Sequence, residues 1–380
     1  MPELRFASAA LLALLAAAPG HARPPAGAVY VMTNAAAGNE VVTWTRDPQG
    51  RLRLAGSLST GGRGSGGGVD PLASQDSLRL SGDRRWLFAV NAGSDEVSVF
   101  RVAGGLALVD RVPSGGRFPV SLAEREGRLY VLHVGGEGAV TGHTVGDDGR
   151  LAVIPGSTRT LALGGTNPPA VGRAPSQIGF TPDGSALLVI DKGRDLLLTL
   201  ALDAAGVPAA PVATASAGRL PFAFRFGAGG TLLVAEIFGR TGGSDPGGAS
   251  AISSYAREAD GSWRPITASL PTGETALCWI DGHGRHAWGT NTGSDTLTGF
   301  RVGRDGALSL LGGGVLHRFA GAPRVPLDLA VTGDGRFLYT LNVGTGSIGM
   351  FRIRGNGRLI PLGEAPGLAA LQGAQGIAAR

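Results

Sequence analysis

The sequence predicts an all-β protein, a seven-bladed β-propeller in one domain, with the ring closed by the carboxyl-terminal strand. Three observations carry this reading. Among 380 residues there are 65 Gly and 23 Pro, so turns are frequent, while a hydrophobic fraction of 43% still supplies a sizeable core. A strand-turn-strand pattern recurs seven times. The two ends are complementary, because the first copy lacks an innermost strand and the chain finishes on one.

The copies read, in order, "YVMTNAAAGNEVVTW", "LFAVNAGSDEVSVF", "LYVLHVGGEGAVTGH", "LLVIDKGRDLLLTL", "LLVAEIFGR" with "ASAISSY", "AWGTNTGSDTLTGF" and "LYTLNVGTGSIGMF". Each joins two β-rich runs through a Gly-containing turn. Most follow a "PDG"-like turn, such as "TPDG" at 181–184 or "TGDG" at 332–335, and most precede a further strand such as "LALVDRVP" or "LIPLGEAP". Four strands per unit, repeated every ~45 to 55 residues, is the pattern of propeller blades, which bury their faces against their neighbours. "GAQGIAAR", Gly373 to Arg380, is then the innermost strand of the first blade.

The amino terminus, "MPELRFASAALLALLAAAPGHARPP", has a positive start at Arg5, an apolar run from Phe6 to Ala18 and a small-residue exit around Ala22. It reads as a signal peptide over 1–22, leaving a propeller over 23–380 that is exported to the periplasm or outside the cell. The apolar run is too short to span a bilayer, and no later run is longer. Cys278 is the single cysteine, so an internal disulfide is impossible, and its apolar neighbours in "ETALCWI" predict a buried thiol. The net charge of +5 comes from arginine, since Lys192 is the only lysine. The arginines are scattered among acids, so nucleic acid is not an expected partner; no membrane span is expected, and the chain is expected to be a monomer.

The repeat also aligns candidate site residues. Asn34, Asn91, His133, Asp191, Glu236, Asn291 and Asn342 end the second strand of successive blades, near the expected tunnel mouth. Asn there can simply cap a turn; Asp191, Glu236 and His133 break that pattern and are the candidate catalytic groups. Four lead-ins to innermost strands carry Arg-x-Pro, at Arg117, Arg173, Arg219 and Arg324. These arginines either pair with neighbouring acids, Arg173 or Arg219 with Asp191 or Glu236, or form a bidentate site for a carboxylate or phosphate, with Asn91, Asn291 and Asn342 beside them.

Other signals are weaker. No hydrolase elbow, zinc-protease helix, Walker loop or cysteine-based metal spacing is present. "HGRH", His283 to His286, falls in a turn on the opposite face, and "GGRGSGGG", Gly61 to Gly68, reads as a flexible connection. A mouth of Asn, Asp and Glu oxygens could hold calcium; no other cofactor is expected.

The seven "LYTLNVGTGSIGMFRI"-type copies, the "PDG" turns and the closing strand resemble the lactonase-type seven-bladed propeller family, which includes 6-phosphogluconolactonase and carboxymuconate cyclase. The resemblance covers Ala28 to Arg380. It implies lactone chemistry with a His-x-His in the fourth innermost strand, an Arg-His in the fifth, a glutamate ending the next strand and a turn arginine in the sixth. Glu236 matches the glutamate and Asp191 an acid of the pattern; Ala174, Ser176 and Thr292 stand where the histidines and the arginine would be. The chain therefore reads as a lactonase-like propeller that binds a small anion or lactone and could hydrolyse it through Glu236 or Asp191, or alternatively as a binding propeller without catalysis.

Overall fold

The computed structural model describes residues 26–238 and 250–380; the signal peptide expected over 1–22 lies outside the described residues. Seven sheets surround a central tunnel, each strand antiparallel to its neighbours. Blade 1 comprises Gln375–Ala379, Gly27–Met32, Glu40–Arg46 and Leu52–Ser59, from the tunnel outward. Blade 2 runs from Leu78 to Pro113, blade 3 from Pro119 to Thr160, blade 4 from Gln177 to Ala215, blade 5 from Arg219 to Pro271, blade 6 from Leu277 to Arg318 and blade 7 from Pro326 to Pro366. Blade 3 alone has a broken outer edge, with Leu151–Val153 and Arg159–Thr160 both pairing with its third strand.

Burial follows position in the blade. Second strands lie between adjacent sheets and are buried on both faces: Trp86–Asn91, Ala186–Asp191 and Phe337–Asn342 have no exposed residue. Their Val, Leu, Ile and Phe content suits a strand with no solvent side. The outer strand Leu52–Ser59 forms the rim and is mostly exposed. Cys278 is buried as its neighbours predicted. The "PDG" turns are Asx turns: Asp183 accepts the Thr181 hydroxyl at 2.6 Å and the Ser185 amide at 3.1 Å, and these bonds hold its carboxyl at about 2.

Closure is antiparallel, as the chain ends predicted. Val29 to Met32 pair with Ala379 to Gln375. Arg46 secures the end by donating from Nε and Nη2 to the Arg380 carbonyl at 3.2 and 3.1 Å. Ile377, buried at 6% exposure, packs into the main core, and its amide donates to Asp328 of blade 7. Burying one such side chain contributes about 1.5–3 kcal/mol. Deleting 375–380 should therefore destabilise the protein by several kcal/mol, read as a lower urea midpoint; an unchanged midpoint would show that the ring does not depend on this strand.

Candidate ligand-binding site

The face from which the innermost strands start, here the upper face, is organised by one repeated turn. After Arg117, Arg219 and Arg324 come Phe118, Leu220 and Val325, with φ of 56°, 50° and 49°. Left-handed backbone at such residues is costly unless the surroundings fix it. An aspartate in the hairpin of the preceding blade does so. Asp95 accepts the Phe118 amide at 2.7 Å, Asp195 the Leu220 amide at 2.6 Å, and Asp295 the Arg324 and Val325 amides, both at 2.9 Å.

The turn faces its arginine away from the core. Arg117, Arg173 and Arg219 are exposed and, among the described residues, have no ion-pair partner. Arg324 differs, donating from Nε to Glu364 of its own blade at 2.9 Å. The lead-in to blade 4 also differs: the preceding hairpin offers no aspartate, and Ala174 has ordinary backbone. There the Arg173 amide donates to Ala170 at 2.9 Å, and Gly193 comes so close that a Cβ would lie 2.0 Å from the Arg173 carbonyl oxygen.

One arginine of this ring escaped the sequence reading. The Arg63 carbonyl accepts the Gly93 amide at 3.0 Å, as that of Arg117 accepts Gly135 and that of Arg324 accepts Gly344. Arg63 is exposed at the blade 2 position. It lacks the proline, so alignment on Arg-x-Pro passes over it. The surrounding "GGRGSGGG", expected to be flexible, is instead pinned: Arg63 N donates to Ser94 at 3.0 Å and Ser65 N to Asn34 at 3.0 Å. Its glycines permit close approach, since a Cβ on Gly64 would meet the Asn34 main chain at 2.1 Å.

The residues ending the second strands are all buried and make their hydrogen bonds locally, while His133 Nε2, Asn291 Oδ1 and Asn342 Nδ2 are buried without a partner among the described residues. Asn91 accepts from Asn39 and Thr60 at 3.0 and 2.7 Å and donates to Ser98 at 2.8 Å. Asn291 donates to Thr296 and Thr298 at 2.9 and 2.8 Å, and Asn342 accepts from Thr340 at 2.9 Å. Asp191 pairs with Arg194, three residues along the same hairpin, and not with Arg173 or Arg219. Glu236 accepts from Ser253, from Ser269 at 2.7 Å and from the Gly218 amide at 3.0 Å, again without an arginine. His133 is held by its own blade, with Nδ1 3.3 Å from the Ala139 carbonyl, and burial pulls it down to about 4, so its ring is neutral near pH 7. No hydrogen bond joins any two of Asp191, Glu236 and His133. Among the described residues no three His, Cys, Asp or Glu side chains converge as metal ligands.

The tunnel itself is plugged. The chain leading to blade 2, Asp70 to Asp76, crosses it with left-handed backbone at Asp70, Ala73 and Asp76. Ser74 donates to Val120 of blade 3 at 2.8 Å, and its carbonyl accepts Trp279 of blade 6 at 2.9 Å and Gln375 of blade 1 at 3.0 Å. The Gln75 amide donates to Ser176 at 3.0 Å, while its side chain exchanges bonds of 2.8 and 3.1 Å with the Ile280 main chain. On the upper side of this plug lie Lys192 and Asp70. Lys192 is buried, donates to the Ala73 carbonyl at 2.6 Å and stands 5.1 Å from the Phe222 ring centroid. Burial lowers it to about 8, with Asp70 opposing the shift; burial likewise raises Asp70 to about 6, with Lys192 opposing.

These features define the class of seven-bladed propellers closed by a carboxyl-terminal strand. Among the solved structures with the same fold, three carry lactonase names. A candidate 6-phosphogluconolactonase from Bacteroides fragilis superposes with a TM-score of 0.69, at 17% identity over 96% of this chain and 100% of that one. The periplasmic gluconolactonase of Pseudomonas aeruginosa gives 0.65, at 19% identity over 92% and 98%. A candidate 6-phosphogluconolactonase from Bacteroides uniformis gives 0.66, at 17% over 92% and 98%. The chain therefore has the fold of the lactonase-type propellers. No family model and no curated relative matches its sequence.

Two outcomes test this account of the face. Asp195→Ala strands the Leu220 amide in a left-handed turn and should cost about 1–3 kcal/mol in a urea titration; a cost near zero would mean the aspartate does not hold the turn. Burial raises the Glu236 carboxyl above the usual range. Its contribution is then full below the ordinary glutamate pKa and is lost as pH rises through the raised value. Glu236→Gln should flatten that limb of the stability-pH curve and be no less stable than wild type at pH 7; equal destabilisation at every pH would contradict this.

Proposed function

We propose that this protein is an exported lactonase-type propeller that binds a small anionic sugar acid, or the lactone formed from one, on its Arg-x-Pro face. The observation that carries the proposal is the set of exposed arginines, Arg117, Arg173 and Arg219, with no acid to neutralise them among the described residues. A guanidinium offers a planar fork that matches a carboxylate or phosphate, and a charge-assisted bond to it contributes about 1.5–3 kcal/mol. The names of the structural neighbours, gluconolactonase and 6-phosphogluconolactonase, supply the ligand class. Because the arginines are exposed, added salt weakens such binding.

One observation favours lactone opening at the same face. Asp70, half-buried beside the plug, accepts from the Gln375 side chain at 2.7 Å, and burial raises its carboxyl against the pull of Lys192, the direction that suits a group taking a proton from water. Water would add to the lactone carbonyl carbon as Asp70 receives its proton. The ring C–O bond then breaks, and the proton passes to the departing oxygen. The product is a hydroxy acid, and the Arg-x-Pro arginines would meet its new carboxylate.

Gluconate and 6-phosphogluconate should raise the melting temperature of the wild type. Replacing Arg117, Arg173 and Arg219 with alanine should weaken binding at least about tenfold. Equal stabilisation of wild type and triple variant would remove the anion site. Loss of gluconolactone turnover in Asp70→Asn, with binding retained, would establish the enzyme; a wild type that binds without turnover would leave a binding propeller.

A further inference from the structure

Below the plug the tunnel widens into a cavity of about 490 Å³ that opens on the opposite face. That volume falls within the range of small-molecule sites. Two ion pairs stand in its wall. Arg79 of blade 2 donates to Asp76 at 2.7 Å, and Arg225 of blade 5 pairs with Asp281 of blade 6. Each arginine has one of its five N–H groups engaged in that pair; among the described residues the others find no acceptor, and Arg79 Nε is buried without one. Phe180 and Phe226, both half-buried, line the same space.

The charge balance selects the ligand. Asp76 and Asp281 offset Arg79 and Arg225, so neither an anion nor a cation meets a surplus of opposite charge. The remaining acid, Asp328, accepts the Leu329 amide at 2.8 Å and the Ile377 amide at 3.3 Å. Burial, with the neighbouring Asp76 adding to it, raises its carboxyl well above the usual range, which works against a third charge in this wall. A wall of paired donors and acceptors beside aromatic carbon suits a molecule with many hydroxyls and apolar C–H faces. Each hydroxyl can donate to an aspartate and accept from an arginine, while the C–H faces lie against the phenylalanines.

We propose that this lower cavity is a second binding site, separate from the arginine face, for a neutral polyhydroxylated molecule of monosaccharide size. The plug keeps the two sites apart, so they fill independently.

Equilibrium dialysis of the purified protein with glucose and myo-inositol, and with spermidine and gluconate as charged probes, tests this. The wild type should take up a neutral polyol. The charge-neutral double variant Arg225→Gln/Asp281→Asn should bind it at least about tenfold more weakly. Phe226→Leu, which keeps every charged group, should also weaken it and guards against a folding defect in the double variant. Arg173→Ala, on the other face, should bind the polyol as wild type does. Failure of the wild type to take up either polyol overturns the proposal. So does polyol binding that survives both cavity variants, or spermidine bound more tightly than the polyols and lost in the double variant.

Discussion

Gln75 reaches across the tunnel and exchanges two hydrogen bonds with the main chain of Ile280, nearly opposite in the ring. The organisation of both faces depends on that bridge. It would leave two main-chain groups of an innermost strand unpaired if lost, a cost of about 1–3 kcal/mol for each buried group. Ser74 extends the same crossing to three other blades, so the lead-in to blade 2 joins the ring as a cross-member. A propeller is usually open along its axis; here the crossing segment stands between the upper face and the lower cavity.

The upper face then has to do its chemistry above the plug. There the repeated aspartate-capped turn sets the geometry. By holding Phe118, Leu220 and Val325 in left-handed backbone, each aspartate fixes where the preceding arginine leaves the main chain. The cap uses both carboxylate oxygens or one, but always on amides, which is why these acids do not neutralise the arginines beside them. Positive charge is thus kept available by spending the nearest negative charge on the backbone. Below the plug the opposite choice is made, and each arginine sits against an aspartate.

The ring, its blade count and its closure were legible because a repeat displays its own period, and because an unpaired strand at one end calls for its complement at the other. The Arg-x-Pro lead-ins were legible for the same reason. What the alignment could not show is direction. Glu236 and Asp191 align with mouth positions, yet their side chains turn into their own blades, where Ser253, Ser269 and Arg194 stand. Ser253 and Ser269 lie on the outer two strands of blade 5, at distances set by sheet register that a linear pattern does not encode, and Arg194 reaches Asp191 through the hairpin turn. The plug was hidden differently: it occurs once, so the repeat offers nothing to compare with Asp70 to Asp76. Arg63 was missed because Ser65 stands where the other lead-ins have proline.

The most direct measurement is a crystal structure of the protein with 6-phosphogluconate bound. The account predicts ligand on the upper face, its carboxylate or phosphate within hydrogen-bond distance of Arg117, Arg173 or Arg219, and the Gln75–Ile280 bridge intact beneath it. Ligand lodged inside the tunnel past a displaced Gln75, or on Glu236 and Asp191 turned out of their blades, would contradict it.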